Sequence, residues 1–208
     1  MGLMGVRQVF DARLRPLINP PLNACGRALA RAGISANAVT LAGLVPAIGA
    51  GLSIAYGHTL AALALIVLNR VLDGLDGAVA RVRGSTDFGG YLDILADYVF
   101  YLAVPLGFAF AAPDNAIPAL VLVASFTLTA VSFLAFAALA AKRGQTDSAH
   151  GAKSFLYSTG LAEGGETIAV FIAMCLWPAA FAWLAWGFAA LCGLTVIQRS
   201  VMARHTFG

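Results

Sequence analysis

Charge is scarce in this chain. Asp, Glu, Lys and Arg make up 11% of its 208 residues, against 60% hydrophobic. That balance excludes an ordinary water-soluble domain and points to a polytopic membrane protein. Cysteine is sparse too. Cys25, Cys175 and Cys192 show no CxxC spacing and no partnering histidine, and the last two fall within apolar stretches. A disulfide framework, a zinc site and a thiol redox centre are therefore set aside, and the three read as small packing residues. The sequence has no internal repeat, no low-complexity stretch and no room for a second soluble domain. No apolar run of signal-peptide length precedes residue 37, and no cleavage site is evident, so no segment is expected to be removed. The net charge of +3 does not argue for nucleic acid, because the basic residues sit beside hydrophobic stretches rather than on one soluble face.

What is present is an alternation of apolar stretches and short basic connections. Residues 1–35 mix Phe10, Leu14, Leu17, Ile18, Leu22 and Leu29 with Arg7, Arg13, Arg15, Arg27 and Arg31, interrupted by Asn19-Pro20-Pro21. This predicts an amphipathic juxtamembrane segment with arginines toward lipid headgroups, a basic tail being the alternative. Residues 36–208 form the membrane domain, an all-α bundle of six spans at roughly 37–56, 59–81, 88–112, 116–142, 161–178 and 179–200, each about long enough to cross some 30 Å of hydrocarbon. Gly57, Gly84-Ser85, Pro113-Asp114-Asn115 and Pro178 mark the turns. Basic residues precede the first span and recur at Arg81, Arg83, Lys142, Arg143, Lys153, Arg199 and Arg204, while the alternate connections have none. With an even number of spans, the positive-inside rule puts both termini and the connection around residue 85 in the cytoplasm, in a multi-pass protein of the cytoplasmic (inner) membrane.

Four aspartates organise the remaining chemistry. Asp73 and Asp76 lie at i,i+3 near the end of the second span, and Asp93 and Asp97 at i,i+4 near the start of the third, so each pair shares a helix face and the two pairs oppose each other in an antiparallel hairpin. One carboxylate at mid-bilayer depth costs about 2.5–3.5 kcal/mol, and four on the order of ten. Positive charge between them is expected, and oxygen donors without Cys or His suit hard divalent ions, Mg²⁺ or Mn²⁺, with carboxylates enough for two. Arg70, well inside the second span, is expected to face a carboxylate or a phosphate rather than lipid, or equally to form a structural ion pair. Gly77 and Ala80 lie four residues from Asp73 and Asp76 on the same face, leaving space for a bulky ligand such as a nucleotide, although small residues also serve close helix packing. Arg81 offers a bidentate donor for a phosphate, or is an ordinary positive-inside residue.

The run from Asp73 to Arg81, a seven-residue spacer, then Gly89, Asp93 and Asp97 matches D-x-x-D-G-x-x-A-R … G-x-x-x-D-x-x-x-D. The chain thereby resembles the CDP-alcohol phosphotransferase (CDP-alcohol phosphatidyltransferase) family, membrane enzymes that move a phosphatidyl or other phosphoalcohol group from CDP-diacylglycerol or a CDP-alcohol to an acceptor hydroxyl and release CMP. Residues 35–40, Ser-Ala-Asn-Ala-Val-Thr, are similar to the family's P-N-x-x-T opening of the first span, with Ala36 where proline is usual. The resemblance implies that Asp73, Asp76, Asp93 and Asp97 hold two divalent metals and that Asp97 is also the general base. It further implies that Asn37, Thr40, Gly77, Ala80, Arg81, Thr86 and Gly89 surround the nucleotide, and that the protein is a homodimer. No Cys, His or Ser is placed to demand a covalent intermediate, which favours direct in-line attack.

The acceptor is less legible. Lys142, Arg143 and Lys153 are candidates for a phosphorylated acceptor, or positive-inside residues. Glu163 and Glu166, at i,i+3 where the fifth span opens, are candidates for reading an amine or hydroxyls, or complement a helix dipole. Two readings compete with the transferase. A divalent-cation transporter would need repeats and a polar path to the far side, and beyond Asp97 the third span is nearly all apolar. An inactive scaffold is at odds with four intact aspartates.

Overall fold

Gly33 and Gly84, with φ of 82° and 94°, turn the chain where L side chains are strained, and each closes a helix. The computed structural model describes residues 19–143 and 164–208. These form α1 over residues 19–31, α2 Ala36–Ala55, α3 Thr59–Arg83, α4 Asp87–Ala111, α5 Ala116–Lys142, α6 Gly164–Leu176 and α7 Phe181–Phe207, with 3-10 turns at Pro113–Asn115 and Pro178–Ala180. Among the described residues there is no strand. The prolines at 113 and 178 open their turns, where a missing N–H costs nothing.

Four stretches are long and apolar enough to cross a membrane: Ala36–Ala55, Asp87–Ala111, Pro113–Lys142 and Pro178–Phe207. Their flanks expose large apolar side chains, Val45, Phe110 and Trp183 among them at 74%, 80% and 83%, a surface suited to lipid rather than water. The two further spans expected from sequence differ from these for separate reasons. α3 has 25 residues but carries Arg70, Asp73, Asp76, Arg81 and Arg83. The 13 described residues of α6 rise only about 20 Å. Of the expected N-terminal segment, 19–31 is helical and 1–18 lies outside the described residues.

The chain divides into two compact units. The first holds the described residues up to Gly49 together with Ala64–Phe100, and the second holds Ala50–Leu63 with Tyr101–Gly208. In the first unit α1 lies against α3 at small residues. A Cβ on Gly26 would come within 2.6 Å of Ala78 Cβ, and one on Gly74 within 2.9 Å of Leu22 Cδ1. Some small residues of the acidic motif therefore seat a neighbouring helix. α1 ends in a glycine cap, Ile34 N–H donating to Leu29 C=O at 3.1 Å. Ser35 then caps α2 by accepting from Ala38 N–H at 3.2 Å, and Thr86 caps α4 by accepting from Gly89 N–H at 3.0 Å. Buried Asn69 of α3 donates to Gly43 C=O of α2 at 2.9 Å, tying those helices together.

In the second unit α5 runs along α7. Phe126 is the hub, with Tyr101, Phe171 and Phe188 at 6.0, 6.1 and 5.9 Å between ring centroids, and Phe108 stacks on Phe181 at 4.3 Å. Arg199, buried on α7, donates to Thr129 C=O and Ser132 Oγ of α5 at 2.8 and 3.0 Å.

Candidate active site

The last turns of α3 and the first turns of α4, both in the first unit, carry the four aspartates. One carboxylate oxygen from each of Asp73, Asp76 and Asp93 lies within 4.8 Å of the other two. Asp76 is buried, and its Oδ2 accepts from Thr40 Oγ1 at 2.7 Å. Asp97 is not part of this triad. Both terminal nitrogens of Arg70 donate to its Oδ1 at 3.0 Å, and Arg70 Nη1 also stands 3.6 Å from Asp73 Oδ2. Arg70 thus faces carboxylates, one of the outcomes expected of it.

The donor set fits a hard divalent cation. Three carboxylates converge on one point, all ligand atoms are oxygens, and among the described residues the cation paired with these aspartates is Arg70, whose fork is committed to Asp97. Three like charges this close repel strongly unless a cation lies between them.

Beside the triad opens a cavity of about 400 Å³, inside the ~300–1,000 Å³ range of small-molecule sites. Asp76 and Asp93 line it together with six residues expected around a nucleotide: Asn37 and Thr40 from the start of α2, Gly77 and Ala80 from α3, Thr86 from the connection and Gly89 from α4. A Cβ on Gly89 would stand 3.0 Å from Thr86 Oγ1 and 3.1 Å from Asn37 Oδ1, so a side chain there would crowd the wall.

Arg81 is placed differently from the rest. It does not line the cavity, and its Nη2 donates to Asn23 Oδ1 of α1 at 3.0 Å. The arginine in the wall is Arg83, which sequence reasoning missed. Its Nη1 donates to the carbonyls of Gly33 and Ile34 at 2.8 and 3.0 Å. Helical periodicity does not separate the two, since Arg83 stands at i+7 from Asp76 while Arg81 stands at i+4 from Gly77, and both Asp76 and Gly77 line the cavity.

Of the acceptor candidates, Lys142, Arg143 and Glu166 belong to the second unit. Arg143 donates to the Thr206 and Phe207 carbonyls at the end of α7, at 3.1 and 2.7 Å, a helix-capping role. Lys142 is exposed at the end of α5, and Glu166 lies in the first turn of α6 in the second unit. Lys153 and Glu163 lie outside the described residues.

Described residues without a strand, with four membrane-capable helices and an acidic triad beside a cavity, have the makings of a metal-dependent membrane enzyme. The profile of the family described as CDP-alcohol phosphatidyltransferase matches residues 34–197, and the chain belongs to that family; it is an enzyme, a transferase. It is 50% identical over 192 residues to "Inner membrane protein YnjF" of Escherichia coli, covering 92% of this chain and 93% of that one. Over 99 residues it is 31% identical to the archaetidylinositol phosphate synthase of Pyrococcus horikoshii, covering 47% of this chain and 53% of that protein. Its fold is similar to that of the phosphatidylinositol phosphate synthase of Mycobacterium tuberculosis. The structure of that enzyme with manganese and citrate has a TM-score of 0.67 at 24% identity, covering 86% of each chain. The structure with CDP-DAG bound has a TM-score of 0.65 at 22% identity, covering 86% of this chain and 90% of that one.

Proposed function

We propose that the enzyme transfers a phosphatidyl group from CDP-diacylglycerol to the hydroxyl of a small polar alcohol or phosphoalcohol, releasing CMP. The observation that carries this reading is the convergence of Asp73, Asp76 and Asp93, two of which line a cavity of nucleotide size. Family membership supports the reaction class. A neighbour of the same fold holds CDP-DAG in one structure and manganese in another.

In this reading Asp73, Asp76 and Asp93 hold two divalent cations, Mg²⁺ or Mn²⁺, with Asp97 as their remaining contact. Bound there, such ions supply neutralisation of the donor's pyrophosphate and of the charge that develops on departing CMP. Asn37, Thr86 and Gly89 seat the cytidine part, and the small side chains of Gly77 and Ala80 admit the pyrophosphate. Asp97, one turn beyond Asp93 on α4, accepts the proton of the acceptor hydroxyl. The hydroxyl oxygen bonds to the phosphorus that carries the diacylglycerol, and the bond from that phosphorus to the CMP oxygen breaks, its electron pair leaving with CMP. For the acceptor, Glu163, Glu166, Lys142, Arg143 and Lys153 are the candidates.

The same reading makes α3 and the segment around α6 spans, giving six, with both termini and the site at the cytoplasmic face of the inner membrane. The basic connections support it, as does the name of the Escherichia coli relative. Asp97→Asn tests the mechanism. Turnover is expected to fall by about 100-fold or more while CDP-diacylglycerol still binds with its original Kd. Equal losses in rate and binding would reduce Asp97 to a structural or purely metal-holding part.

A further inference from the structure

Arg70 is held with more care than charge neutralisation needs. Its Nε and Nη2 donate to Asn69 Oδ1 at 2.9 and 2.6 Å, and Asn69, itself buried, is anchored through Nδ2 to Gly43 C=O. The ring of Phe100 lies under the guanidinium at 4.2 Å, a contact that favours a fixed, flat orientation. Amide edge and ring turn the front of the fork toward the carboxylates, where both terminal nitrogens meet on the same oxygen of Asp97, Oδ1, and Nη1 also stands 3.6 Å from Asp73 Oδ2. A side-by-side bidentate pair would have occupied both carboxylate oxygens. Here Oδ2 is left for reacting groups, since among the described residues no donor reaches it. α4 carries no Lys, Arg or His, so the cation beside this carboxylate comes from α3, across the hairpin, rather than from its own helix.

We propose that Arg70 is a positioning residue for Asp97. By fixing Oδ1 it sets the carboxylate rotamer so that Oδ2 faces the acceptor hydroxyl, with Asn69 and Phe100 holding the guanidinium in the required plane. The proposal rests on Asp97 being the base, as read above. Arg70 enters the reaction through the geometry of Asp97 and not by touching the nucleotide, so its loss slows the chemical step without weakening the donor complex.

The test uses the purified full-length protein with Mn²⁺ and CDP-diacylglycerol, and whichever of glycerol 3-phosphate, serine, inositol phosphate, inositol or glycerol supports CMP release. Arg70→Met is expected to lower kcat by about 100-fold, the scale of a misplaced reacting group, with the KM for CDP-diacylglycerol unchanged within about twofold. Added to Asp97→Asn it should cost nothing further, because both act through one carboxylate. Arg70→Lys keeps the charge and the stem but not the fork, guards against misfolding of the Met variant, and should recover less than a tenth of kcat. Full activity in Arg70→Lys or Arg70→Met, a loss confined to donor KM, or a loss that multiplies with Asp97→Asn would each overturn the proposal while the transferase reading stands. No CMP release by the unaltered protein with any acceptor would overturn both.

Discussion

Thr40 spends its hydroxyl on Asp76. The 2.7 Å bond to Oδ2 fixes one carboxylate of the triad from a neighbouring helix, and such partners of a metal-binding carboxylate are worth about 10- to 100-fold in metal affinity. Thr40→Val keeps the shape and removes the donor. We expect the Mn²⁺ concentration for half-maximal activity to rise by about that factor, read from metal titrations of initial rate, while the rate at saturating Mn²⁺ stays within a few-fold. An unchanged midpoint would mean that the hydroxyl serves only its other acceptor, Ala36 C=O at 3.1 Å in the first turn of α2. At this scale the sequence was informative wherever residue type and spacing determined position. The aspartates at i,i+3 and i,i+4, with Gly77 and Ala80 on their face, could be placed without coordinates. What periodicity alone could not supply was side-chain direction at a helix end. Arg81 and Arg83 both stand in the last turn of α3, and their roles separated only through partners on another element, Asn23 for one and the Gly33 and Ile34 carbonyls for the other.

Among the elements, the contact of α1 with α3 shapes the site from behind. Gly26 against Ala78, Leu22 against Gly74 and Asn23 against Arg81 recur along the two helices, so α1 braces the segment of α3 that carries Asp73 and Asp76. Gly26→Leu would drive side-chain atoms into Ala78, whose Cβ already stands 2.6 Å from the position of an added Cβ. Overpacking of this kind costs about 1–3 kcal/mol. Thermal unfolding in detergent should show a Tm lowered by several degrees, and an unchanged Tm would mean that α1 is not seated as described. This contact was not legible beforehand, because small residues in an acidic motif serve ligand access and helix packing equally well and only the partner decides. Helix positions, by contrast, followed from hydropathy and turn residues. Spans expected at 59–81 and 116–142 correspond to helices Thr59–Arg83 and Ala116–Lys142. Counting crossings was harder, since α3 trades hydropathy for the charges of the site and α6 has only 13 described residues.

For the whole molecule the account commits to an orientation and to a reaction. Cys25, exposed on α1, and Cys175 and Cys192, both buried, make the orientation testable without new cysteines. A membrane-impermeant maleimide should label the protein in inside-out vesicles and leave it unlabelled in right-side-out ones, and the reverse pattern would place the site on the other face. The reaction is tested most directly by CMP release. Purified protein in liposomes is given CDP-diacylglycerol and Mg²⁺ or Mn²⁺, then glycerol 3-phosphate, serine, inositol phosphate, inositol or glycerol, and the lipid product is identified by mass. The account predicts CMP release that depends on one acceptor, is abolished by chelator and is lost in Asp97→Asn, with the matching phosphatidyl product. Silence with every acceptor, or release that persists in Asp97→Asn, would contradict it.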